Sequence, residues 1–167
     1  FNNVGTTFIV TANITNAYDP VIYRTERYDT SPSGANLTYT LPGVTAGLQY
    51  EVVLHFSENW HTTAGKRSFG AAIDGDVKFT NLDIFAVAGS RYSAITRSYL
   101  LMASANTITV TFLYGLINNP KISAMELYRV TTAAPTPPAP APAPLPLPVP
   151  VPAPAPVPAP TPTLSED

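Results

Sequence analysis

Between residues 135 and 163 the chain reads PTPPAPAPAPLPLPVPVPAPAPVPAPTPT, and no other stretch limits the fold so severely. Proline fixes φ near −65°, lacks an amide donor and pushes its predecessor out of the α region. A chain that alternates proline with another residue can therefore join neither a helix nor the middle of a sheet. It is expected to form a polyproline II rod. At about 3.1 Å per residue, such a rod would reach on the order of 90 Å. Fifteen of the nineteen prolines lie in this stretch, so residues 1–130 are ordinary in proline and free to bury a core. The sequence thus divides into a domain over 1–130 and a proline-rich tail over 131–167.

The domain reads as strands. Residues 7–15, TFIVTANIT, are rich in β-branched side chains, and 37–41, LTYTL, alternate and stop at the turn pair Pro42-Gly43. In 50–56, YEVVLHF, alternation sets Tyr50, Val52, Leu54 and Phe56 on one face. Residues 68–79, SFGAAIDGDVKF, carry a hairpin signal, because Asp74-Gly75 supplies the positive φ angles of a two-residue turn. In 107–115, Ile108, Val110, Phe112 and Tyr114 alternate with Thr107, Thr109 and Thr111, and 121–130, KISAMELYRV, closes the domain. No stretch has a helical period of the usual length. Short strands with regular turns predict an all-β sandwich or jelly roll.

Composition excludes several function classes. Charged residues are 12% and the net charge is −2, too little for a basic patch of the kind that binds nucleic acid. Cysteine is absent, which rules out disulfides and thiolate metal sites. No apolar run reaches the roughly 18 residues of a membrane span. Phe1 is expected to be an internal residue of a longer precursor, since no initiator methionine or leader precedes it. Two N-x-Thr sequons, at Asn13 and Asn36, favour a secreted protein with covalent glycans.

From Val21 onward, five blocks in order resemble the malectin domain, a carbohydrate-binding β-sandwich. VIYRTERY (21–28) is similar to that family's tyrosine-containing strand and turn. VVLHFSENW (52–60) is similar to its LHFAE strand and following loop. GKRSFGAAIDGD (65–76) is similar to its G-x-R-x-F-D-V-x-I-N-G hairpin. NLDIFAVAG (81–89) and NNPKISAMEL (118–127) are similar to its later blocks. The resemblance implies a sugar site of aromatic and polar groups on loops at one end of the sandwich. Carried over residue by residue, it implies Tyr23 and Tyr28 from the first block, Trp60 after the second, and Asn118 before Asn119-Pro120. His61 falls where animal malectin has a second aromatic, and Gly70 replaces the aspartate after the hairpin phenylalanine. The family's opening strand finds no counterpart in the twenty residues before Val21, so an open sheet edge is expected there.

Nothing points to catalysis. Glycoside hydrolysis needs two carboxylates across a cleft, and the spacing of Glu26, Asp29, Glu58, Asp74, Asp76 and Asp83 selects no pair. Glu58 is expected to brace its loop, and His55 to be structural. His55 and His61 form no metal signature, and neither a metal nor another cofactor is expected.

The tail adds an assembly reading. Pro alternating with Ala, Thr or Val is similar in composition to the hydroxyproline-rich glycoproteins of plant and algal walls. That makes Pro140, Pro142, Pro144, Pro154, Pro156, Pro158, Pro160 and Pro162 candidates for hydroxylation and O-glycosylation. Leu145, Leu147, Val149 and Val151 would benefit from cover. The leading expectation is a secreted structural subunit that self-associates head to tail into an extracellular fibre. The alternatives are a carbohydrate-binding module on a proline-rich stalk, or an accessory binding domain of a larger enzyme.

Overall fold

The computed structural model describes residues 8–9, 11–29 and 36–131. The expected polyproline rod and its candidate O-glycosylation prolines lie outside them.

The described chain is an antiparallel β-sandwich. One sheet has the order β3 (Leu37–Leu41), β8 (Ile108–Ile117), β5 (Ser68–Ile73), β6 (Asp76–Leu82). The other has the order β10 (Ala124–Arg129), β4 (Gln49–Ser57), β7 (Ala94–Met102). A small third sheet joins β1 (Phe8–Ile9), β2 (Thr25–Tyr28) and β9 (Lys121–Ile122) at one end. The core lies between the two large sheets. Val52, Leu54 and Phe56 from β4 meet Ile108, Val110 and Phe112 from β8, all with no exposed surface. Phe56, Phe69 and Phe112 pack edge-on or tilted, with centroids 5.8–6.5 Å apart, the arrangement their ring quadrupoles favour. Asp74 and Gly75 turn the β5–β6 hairpin with φ of 49° and 84°, as the Asp-Gly pair requires.

Three expectations need correction, and one strand was not anticipated. Residues 7–15 are not one strand: among the described residues only Phe8–Ile9 is a strand, and Thr15 makes a lone bridge to Ser93. Ile14 instead buries beside Tyr23 and Ala94 in a satellite cluster, which pulls the chain off the sheet. Second, the opening strand is not missing. β1 pairs antiparallel with β2, Phe8 opposite Glu26 and Ile9 opposite Thr25, so this edge of the small sheet has a strand on it. Third, Tyr23 lies on a 3-10 helix, Pro20–Tyr23, not on a strand. Asp19 caps that helix by accepting from the Val21 amide, and Pro20 presets its first φ. The unanticipated strand is β7 (Ala94–Met102). It pairs with β4 along nine residues, yet its alternation is blurred by inward Arg97 and by exposed Leu100 and Met102.

Among the described residues helix is confined to short pieces. Ile84–Ala88 forms one short helix, capped by the Asp83 carboxylate and ended by Gly89 at φ 76°. No helix among the described residues is long and apolar enough to cross a membrane.

Candidate functional site

The small third sheet and two loops build a pocket at one end of the sandwich. β2 supplies Glu26 and Tyr28. The loop after β4 supplies Trp60. Arg67 precedes β5, and Asn118 and Asn119 come from the turn between β8 and β9. These six side chains line a cavity of about 250 Å³.

Its support is a buried charged network. Glu58 follows directly on β4 and has no exposed surface. One of its oxygens accepts from the backbone amides of Trp60 (3.0 Å) and His61 (3.1 Å), which fixes the loop that carries both rings. The other accepts from Arg67 Nε at 2.8 Å. Lys121 Nζ lies 3.9 Å from Glu58 and donates to Glu26 Oε2, which also accepts from Asn59 Nδ2 at 2.9 Å. Two carboxylates thus face two cations, and each buried charge has a partner of opposite sign. The role expected of Glu58 is the one it has. Burial pushes its carboxyl up, but Lys121, Arg67 and the amide donors outweigh this and bring it from 4.5 down to about 2. Burial lowers the Lys121 ammonium from its ordinary value, against the pull of Glu26 and Glu58.

The linkage sign follows from the Glu58 shift. A carboxylate whose folded pKa is depressed stabilises the fold above its unfolded value, and loses that contribution as pH falls toward the folded one. Glu58 should therefore contribute roughly 3 kcal/mol at neutral pH, lost progressively between 4.5 and about 2. Urea titrations across that window should show it, and Glu58→Gln should flatten the dependence.

The rim is set by Asn118. It adopts φ 60°, which asparagine tolerates better than most residues. Its Oδ1 accepts from the Asn119 amide at 2.7 Å, so its Nδ2 must point the other way, to His61 Nε2 at 2.7 Å. His61 thus accepts at Nε2 and carries its proton on Nδ1. Its pKa is lowered, first by burial, then by Arg67, Lys121 and Lys66, with Glu58 opposing.

Of the residues expected at the site, Tyr28, Trp60 and Asn118 line the pocket and His61 buttresses its rim. Trp60 is 59% exposed on the pocket lining. Tyr23 is not brought there. It is 1% exposed, and its hydroxyl bonds His55 Nδ1 at 2.7 Å, pinning the 3-10 helix to β4. His55 is structural, as expected. Arg67, Asn119 and Lys121 were not singled out from the sequence. The arginine stood inside the hairpin block that resembles the malectin motif, and this was the available signal. Among the described residues no group of three His, Asp or Glu side chains could hold a metal ion. Asn13 and Asn36 are both exposed.

Comparison with known proteins decides the family. The malectin-domain family model matches residues 2–125. The chain belongs to the malectin-domain family. The match reaches almost to Phe1, so residues before Val21 are part of the malectin domain. Receptor-like protein 4 of Arabidopsis thaliana is 33% identical over 120 residues, covering 71% of this chain and 19% of that protein. Malectin-B of Xenopus laevis is 28% identical over 128 residues, covering 70% of this chain and 45% of that one. The chain thus spans less than half the length of these relatives. Among solved structures, the ANX1 ectodomain of Arabidopsis thaliana superposes with a TM-score of 0.68 at 20% identity, over 79% of this chain and 40% of that one. The fold also recurs in a Bacteroides uniformis β-glucuronidase, with a TM-score of 0.61 at 19% identity, over 76% of this chain and 14% of the enzyme.

Proposed function

We propose that this malectin domain is an extracellular, non-catalytic carbohydrate-binding module whose ligand enters the pocket between Tyr28, Trp60 and Asn118. The observation that carries this reading is the convergence of two aromatic rings and an oriented amide from three distant segments on one cavity. Rings stack on the C–H faces of a sugar, while fixed amide and guanidinium groups select its hydroxyls. Family membership supports carbohydrate as the ligand class, and likeness to solved receptor ectodomains supports an extracellular setting. The two carboxylates nearest the pocket are committed to cations and amides, which favours binding over acid–base chemistry.

The fibre reading rests on residues 135–163, outside the described residues, and gains no support from the domain. The module reading is therefore preferred. Its test is a glycan array followed by calorimetry on any sugar retained. Trp60→Ala should weaken binding about tenfold or more, equivalent to roughly 1.4 kcal/mol or above, while Tyr23→Phe should leave affinity within error. Equal affinity in wild type and Trp60→Ala would move the site elsewhere.

A further inference from the structure

A second depression, of about 320 Å³, lies on the four-stranded sheet and shares no lining residue with the first pocket. It arises from register. Both neighbours of β5 shift at the level of Phe69 and Gly70, β8 on one side and β6 on the other. Gly70 forms part of the lining, with no side chain to fill it, and Leu113, Tyr114 and Leu116 make an apolar wall. Of these, Tyr114 and Leu116 are 39% and 91% exposed. Exposed apolar side chains gathered around one depression signal something that covers them.

The sequon at Asn36 is tied by a hydrogen bond to Tyr114, a residue of this lining. Leu37 turns inward and pairs with Phe112, so Asn36 and Thr38 take the opposite, outer face. Asn36 Oδ1 accepts from the Tyr114 amide at 3.0 Å. That bond holds the carboxamide against the Tyr114 backbone and leaves Nδ2 for a substituent. We infer that Asn36 is an N-glycosylation site whose first N-acetylglucosamine residues lie over Tyr114 and Leu116, so that the chain's own glycan is the cover of this face. In the transfer, Nδ2 bonds C1 of a lipid-linked oligosaccharide diphosphate. The C1–O bond to the diphosphate breaks, the lipid diphosphate leaves, and the amide gives up one proton. Nδ2 keeps its other hydrogen, and Oδ1 keeps the Tyr114 amide. The apolar ring face and acetyl methyl group of the sugar suit an aromatic and aliphatic wall, and Thr80 and Asn81 on the lining offer partners for its hydroxyls.

The test is made on the full chain secreted from eukaryotic cells. Glycopeptide mass spectrometry reads occupancy at Asn36, and hydroxyl-radical footprinting reads the exposure of Tyr114 and Leu116. Thr38→Val removes the sequon yet keeps Asn36 and its bond to Tyr114. Expected are an occupied Asn36 in wild type and oxidation of Tyr114 and Leu116 several-fold higher in Thr38→Val. Trimming the wild-type glycan to a single N-acetylglucosamine should keep most of the protection. If Thr38→Val is not secreted, amidase deglycosylation of the folded wild type supplies the bare state. A folded, secreted protein with Asn36 unmodified overturns the site. An occupied Asn36 with equal oxidation in both states overturns the cover.

Discussion

Lys121→Met should destabilise the domain by about 3–5 kcal/mol, the typical consequence of removing one partner from a buried ion pair. The ammonium is fully buried between Glu26 and Glu58, and no solvent can replace it. Glu26 would keep only the Asn59 amide as a donor among the described residues. Glu58 would keep Arg67, so most of the loss should come from Glu26. The double variant Lys121→Met with Glu26→Gln removes the stranded charge and should recover a good part of the stability, a coupling that a double-mutant cycle isolates. Chemical denaturation measures all four proteins. Additive losses would mean that the two groups do not sense each other.

Gly115→Ala should be more damaging still, at about 4 kcal/mol or more, in the exceptional range for a single substitution. A Cβ on Gly115 would lie 1.6 Å from the Ser68 carbonyl oxygen, 2.4 Å from its carbon and 2.9 Å from Phe69 Cα. All three are backbone atoms, so no rotamer change relieves the contact and β5 must separate from β8. Gly70→Ala makes the useful comparison. Its Cβ would meet one carbonyl oxygen, Phe79 O, at 2.8 Å, so its effect should be clearly smaller. Soluble yield and thermal midpoints of the two variants rank them. A Gly115→Ala protein as stable as wild type would show that β8 does not follow the close path beside Ser68.

What was legible in the sequence followed the reach of its signals. Period-two alternation located β3, β4 and β8 and chose the inner face of β4 correctly, because those strands bury one side against a single core. The same rule missed β7, where an arginine points inward and Leu100 and Met102 point out. It also failed over 7–15, where β-branched residues suggested a strand but burial of Ile14 won. Tyr114 broke the alternation of β8 where the strand shifts register against Ser68 and Gly70.

The candidate site was legible in part. Tyr28, Trp60 and Asn118 are exposed or half-buried groups, and resemblance to the malectin blocks found them. Tyr23 belonged to the same block but anchors a helix to the sheet. The network beneath the pocket was invisible for a physical reason. Charged residues are seldom buried, and Lys121 meets Glu26 across 95 residues of sequence, so no local pattern marks the pair.

The central claim can be tested with one fluorophore. Trp60 is the only tryptophan in the chain, so intrinsic tryptophan emission reports directly on the rim of the pocket. The protein should be titrated with oligosaccharides retained on a glycan array, alongside Asn118→Ala as a control. The account predicts a saturable change in Trp60 emission that matches the calorimetric affinity and weakens in Asn118→Ala. Sugar binding that leaves Trp60 emission unchanged would contradict it, and so would a folded protein that retains no glycan.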